Sequence, residues 1–135
     1  MKKGQISFEY LMMMGFVTII IAGILSVAVF YTGSVKSGVT SNQVKEFSNK
    51  IISTAEYVFY SGEPSMATIE IYIPDGVQNV TIQENSLVVD YWSSGGLSRT
   101  VFPSNVNITG TLPHTAGYKK IKITATTNNV VITKV

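Results

Sequence analysis

The chain has 135 residues, 45% of them hydrophobic and only 13% charged, about half the charged share of an ordinary soluble domain. That length fits one globular domain with an appendage better than two full domains. A net charge of +2 without a long basic run argues against a nucleic-acid partner, and the absence of cysteine excludes disulfides and thiolate metal sites.

The charge deficit is local. Residues 1–4 carry two lysines, and between Glu9 and Lys36 there is no charged side chain. Residues 10–31 form a continuous apolar stretch, broken only by Gly, Ser and Thr. As a helix rising about 1.5 Å per residue it spans roughly 30 Å, enough to cross a bilayer. A membrane, or an equally apolar assembly, must receive it. Gly15 and Gly23 lie there with Ala22, Ser26 and Ala28. Small residues permit close helix–helix approach, although transmembrane helices also simply tolerate glycine, and the sequence favours neither reading. Met12, Met13 and Met14 form an adaptable packing surface.

Residues 33–41 are small and polar, and Gly33 and Gly38 make this a candidate bend or linker. Helical periodicity resumes with Val44, Phe47, Ile51, Ala55 and Val58 on one stripe and Glu46, Asn49, Lys50 and Ser53 away from it. Glu46 and Lys50 have the favourable i, i+4 order for an ion pair. Gly62 and Pro64 end the helix.

Beyond Pro64 the pattern changes to period two. Strands are expected at residues 68–73, 77–83, 86–92, 97–102, 106–109, 118–125 and 130–135. The turn signals between them are Pro74-Asp75-Gly76, Glu84-Asn85, Ser93-Ser94-Gly95-Gly96 and Thr127-Asn128-Asn129. A symmetric register at the third turn places Asp90 opposite Arg99, and Asn79 and Thr81 then share their face. Tyr91 and Trp92 are expected to pack against the helix, with a sugar-binding patch as the lesser reading. Strands in direct succession imply a largely antiparallel sheet or a small sandwich. A head of about 75 residues without staples is near the small end of what a core can stabilise, so packing on a helix would help it.

An ordinary secretory signal explains the lysines and the apolar run but not Glu9, an acid at the entrance to the apolar segment. A plain signal-anchor is the simpler alternative. Cleavage ahead of the apolar run, after Gly4, instead makes Gln5 the new N-terminus and Glu9 the fifth residue, with the leader lysines held on the cytoplasmic side. In a bundle of such helices the α-amino group is a buried charge, and a carboxylate one turn into a neighbour neutralises it and sets the axial register. Glu9 near a helix N-terminus also suits the macrodipole.

The run Gly4-Gln5-Ile6-Ser7-Phe8-Glu9-Tyr10 resembles the class III signal peptide of euryarchaeal type IV pilins, written QxSxExxxL. Gln5, Ser7 and Glu9 match, and the leucine position falls on Met13, with Leu11 nearby. The resemblance covers about the first third of the chain. It implies cutting between Gly4 and Gln5 by a class III prepilin peptidase, a stay in the cytoplasmic membrane, and extraction into an extracellular filament by an assembly ATPase and a membrane platform protein. It further implies a homo-polymer whose core contains Tyr10, Leu11, Phe16, Ile20, Ile24, Val27 and Tyr31, serving adhesion or surface attachment. Archaellin leaders end before a different, small-residue sequence.

Chemistry of other kinds is thin. His114 is the only histidine and sits in a loop, and no His/Asp/Glu cluster has metal-ligand spacing. Asp75, Glu84 and Asp90 fall in or near expected turns and strands. The reading is therefore of a non-enzyme without cofactor or metal. Asn79-Val80-Thr81 and Asn107-Ile108-Thr109 are candidate N-glycosylation sequons. The expected architecture is α+β, with a leader at 1–4, a long helix at 5–61 and a β-rich head at 62–135. The helix is apolar at 10–31 and amphipathic at 42–61, and packs on the head in a type IV pilin-like manner. Two alternatives stand beside the filament subunit: a minor pilin or pseudopilin, and a membrane-tethered extracellular binding module.

Overall fold

A computed structural model describes the backbone of residues 3–83 and 85–135, and the side chains of these from Ser7 onward. Met1 and Lys2 of the expected leader, the Gln5 side chain and the turn residue Glu84 lie outside the described residues. The fold is α+β: helix α1 (Lys3–Tyr60), then β1 (Met66–Ile73), β2 (Val77–Gln83), β3 (Ser86–Ser93), β4 (Gly96–Pro103), β5 (Ile108–Gly110), β6 (Gly117–Ala125) and β7 (Val130–Lys134). The chain forms two compact units, Met1–Lys36 and Ser37–Val135.

In the first unit every described side chain from Ser7 to Lys36 is exposed. The candidate bend or linker at residues 33–41 does not interrupt the helix, which continues through Gly33 and Gly38. Each glycine costs a helix only about 1 kcal/mol, and no proline removes a donor there. The division between the two units nevertheless falls inside this stretch, after Lys36.

In the second unit the C-terminal part of α1 lays its apolar stripe on the strands. Val44, Phe47, Ile51, Ala55 and Val58 are all buried, as the periodicity predicts, and Ile52 and Ser48 join them. Tyr60 is the last helical residue, and Gly62, at φ 79°, takes the left-handed conformation that ends a helix readily only with glycine. The strands make two sheets, one ordered β1-β6-β7-β5 and one ordered β2-β3-β4. Leu87, Val89 and Tyr91 from the smaller sheet and Ile71, Ile73, Ile121, Ile123 and Ile132 from the larger share one core with α1. A head this small thus gains its third layer from the helix.

Hairpin registers follow the sequence. Gln83 pairs with Ser86 around Asn85, whose φ of 65° suits a tight hairpin turn, and Ser93 pairs with Gly96. The antiparallel expectation needs one correction, because β5 pairs parallel with β7. This strand has only three residues and lies on the side of β7 opposite β6. A second correction concerns Trp92, which is exposed while Tyr91 is buried. Neighbours on a strand face opposite sides, so only one of the two can pack inward. A third concerns Lys50. It makes no ion pair with Glu46 within 4.0 Å; its Nζ donates instead to the Glu70 carbonyl at 2.8 Å.

Polar contacts fasten both ends of this helical segment. Ser37 Oγ lies 2.7 Å from Ser93 Oγ and accepts from Ser94 N–H, while Tyr91 Oη donates to Ser41 Oγ. Further on, Glu56 Oε1 accepts from both the backbone N–H and the Nδ2 of Asn105. Ser48, fully buried, has no partner for its Oγ. Ser48→Ala therefore removes an unpaired buried hydroxyl and is expected to be neutral or to stabilise the head by about 1 kcal/mol. Ile51→Ala, three residues on, empties core volume and is expected to cost about 3 kcal/mol. Denaturant unfolding of the two variants checks this opposition of sign.

Candidate functional site

Two regions carry the residues singled out by the sequence. The first is the N-terminal stretch of α1. Its residues are good helix formers or are tolerated in apolar helices, and three of its hydroxyls are satisfied internally. Thr18, Ser26 and Thr32 each donate to the carbonyl four residues earlier, at 2.8, 2.8 and 2.9 Å. No side-chain donor of these three thus needs water, which suits a helix destined for an apolar solvent. Tyr10, Leu11, Phe16, Ile20, Ile24, Val27 and Tyr31 are exposed, as are Phe8, Phe30 and Val35. The surface is far larger than the isolated apolar patches that soluble monomers tolerate. This helix is long and apolar enough to cross a membrane. Gly15 and Gly23 have open space where a Cβ would project, so within one chain nothing requires glycine at either position.

Glu9 and Ser7 are exposed on this helix, and the backbone of Gly4 and Gln5 is helical. At 3.6 residues per turn, positions 5 and 9 fall about 40° apart around the axis, whereas position 7 lies on the opposite side. The three matching polar positions therefore form no single cluster while the segment is helical. Glu9 is the one acid ahead of a charge-free run that extends to Val35.

The second region is the exposed face of the β2-β3-β4 sheet. Asn79 stands opposite Asp90, and Asp90 stands opposite Arg99. The expected cross-strand pair is a bidentate one: Arg99 Nε donates to Asp90 Oδ1 at 2.7 Å and Nη2 to Oδ2 at 3.0 Å. The guanidinium hydrogen bond holds the Asp90 carboxyl below the usual carboxylate range, against a smaller opposing push from burial. Both sequon asparagines are exposed. Asn107 accepts the Val130 N–H on its backbone carbonyl, and Thr109 Oγ1 is engaged by Val130 O and Asn129 Nδ2. His114 and Asp75 are exposed, and among the described residues no three metal-ligating side chains cluster.

Sequence reasoning missed the serine contacts of Ser37 and Ser41 and the groove between α1 and β1. Serines on a helix give no signal of their own until the hairpin that meets them is placed. Comparison with known proteins finds no matching family model, no similar curated protein and no similar solved structure.

The Asp90–Arg99 pair gives a pH prediction. Asp90 has a folded pKa below its unfolded value of about 3.9, so its contribution is complete above that value and is lost as pH falls through the lower folded one. Arg99 is 69% exposed, so solvent screens much of the pair's strength. Asp90→Asn is expected to lower stability modestly at pH 7, with the gap to wild type closing below about pH 4. Urea unfolding across that range measures it.

Proposed function

We propose that the chain is the precursor of a subunit of an archaeal type IV pilus-like filament, cut between Gly4 and Gln5 and polymerised through the apolar part of α1. The observation that carries this reading is Glu9: a lone acid, in the Gln5–Ser7–Glu9 spacing, at the mouth of a fully exposed apolar helix. A tethered monomer has no use for a charge at that depth. A bundle of copies does, because each cleaved chain brings a new α-amino group into apolar surroundings where an unpaired charge is costly. The carboxylate of a neighbour, offset along the axis, pairs with it and fixes the stagger. The separate, well-packed core of Ser37–Val135 supports the same reading, since a head that buries its own apolar residues is suited to an outer wall.

In this reading the precursor sits in the cytoplasmic membrane, and a class III prepilin peptidase removes residues 1–4. An assembly ATPase with its platform protein then moves the helix from lipid into the filament. Tyr10, Leu11, Phe16, Ile20, Ile24, Val27 and Tyr31 exchange lipid contacts for contacts with other copies. The chain itself performs no catalysis. The heads face outward and serve attachment, and the exposed Asn79 and Asn107 accept N-linked sugar.

Glu9→Ala and Glu9→Gln test the assembly role. Removing one partner of a buried ion pair costs several kcal/mol, so subunit association is expected to fall by roughly two orders of magnitude while leader removal continues. Filaments of normal number and length in either variant defeat the register argument. Thr81→Ala and Thr109→Ala are each expected to remove one glycan mass from the surface-exposed protein, read by intact-mass measurement; unchanged mass in both means the sequons are not used.

A further inference from the structure

The outer face of the β2-β3-β4 sheet carries its side chains in rows of mixed chemistry. Trp92 stands opposite Leu97, Asp90 stands between Asn79 and Arg99, and Val88 stands between Thr81 and Val101. Trp92, Leu97 and Val101 are exposed, whereas Leu87, Val89 and Tyr91, which alternate with the outer residues of β3, are buried. Trp92 and Leu97 are direct cross-strand neighbours, so their exposed surfaces are contiguous and not scattered.

A β-bulge decides what else shares this face. Val77 pairs with Tyr91 and Asn79 with Asp90, so Gln78 is the extra residue. Strict alternation from the buried Val77 would turn residue 79 inward as well. The bulge resets the alternation: Val80 goes inward, while Asn79 and Thr81 go outward beside Asp90 and Val88. Both residues that a sequon needs therefore lie on the side that carries Trp92. At the other sequon the Thr109 hydroxyl is already engaged, donating to the Val130 carbonyl and accepting from Asn129 Nδ2.

Trp92 is the diagonal neighbour of Asn79, about 7 Å away across the sheet. A sugar linked to Asn79 Nδ2 thus starts within reach of the indole. The electron-rich face of the indole attracts the C–H face of a sugar ring, and Leu97 extends the same apolar floor. Arg99 supplies the polar side. Asp90 takes its Nε and one hydrogen of Nη2, and the exposed guanidinium keeps further donors for hydroxyl or acetyl oxygens. Covalent attachment holds the sugar at high effective concentration, so weak contacts suffice. We propose that the sugar chain carried by Asn79 folds back over this face, its first rings lying against Trp92 and Leu97 with oxygens on Arg99. The proposal rests on the preceding reading that Asn79 accepts sugar, and it is independent of filament assembly.

Trp92 is the only tryptophan of the chain, so its fluorescence reports on this face alone. The full protein is recovered from the surface of the cells that make it and held as single chains in nonionic micelles. Acrylamide quenching is then compared among wild type, Thr81→Ala, Asn79→Gln, Thr81→Ser and Thr109→Ala, with glycopeptide mass reporting sugar at Asn79. The quenching constant is expected to be roughly half as large with that sugar as without it, because one face of the indole is covered. Thr81→Ala and Asn79→Gln both quench as the bare chain does, while Thr81→Ser, which keeps the sequon, and Thr109→Ala stay protected. Sugar at Asn79 with equal quenching in wild type and Thr81→Ala overturns the proposal alone. A bare Asn79 overturns it together with the reading it rests on. Protection of Trp92 that survives loss of the sugar assigns the face to another copy of the chain or to another partner, and overturns it too.

Discussion

Twenty-six consecutive side chains without charge, from Tyr10 to Val35, set the terms for the rest of the molecule. Apolar surface favours leaving water at about 25 cal/mol per Å², and here it is continuous and exposed. Such a segment needs a second medium. Lipid provides one and a bundle of like helices provides another, and the two are close in polarity, so a transfer between them costs little. The internal back-bonds of Thr18, Ser26 and Thr32 fit either medium, because these three hydroxyls need no water. Glu9 does not fit both equally. In lipid it belongs at the boundary, whereas in the proposed bundle of cleaved chains it would have an amine to pair with.

The remainder of the chain solves a separate problem. A short β-rich segment without disulfides has little core to spare, and the amphipathic part of α1 supplies what the strands lack. Val44, Phe47, Ile51, Ala55 and Val58 close one side of a core whose other sides are the two sheets. Ser37, Ser41 and Glu56 then fix the helix by polar contacts near its two ends. The division after Lys36 thus separates a segment with no buried side chain among those described from a unit that has a core of its own.

Much of the head was legible because its information is local. Alternation and Gly/Asn turns placed the strands to within a residue or two, and counting back from Ser94-Gly95 gave the Asp90–Arg99 pair. What stayed hidden depends on non-local choices. The parallel placement of β5 is decided by which side of β7 is vacant, and nothing in Ile108–Gly110 records that. Tyr91 and Trp92 look alike as aromatic strand residues, and only the register says which one faces inward. Lys50 matched a helical ion-pair rule, but a fixed carbonyl on a bare strand edge held it in place of Glu46. The N-terminal site is the reverse case. The reading proposed for it rests on the order Gln5, Ser7, Glu9 and on partners in other chains, which a single folded copy does not contain.

The central claim is that α1 leaves the membrane as a processed filament stem. N-terminal sequencing of the protein recovered from sheared cell-surface material, with negative-stain microscopy of the same fraction, tests it most directly. The account predicts a chain that begins at Gln5 and resides in filaments. A chain that retains residues 1–4 and stays with the membrane fraction as single copies would contradict it.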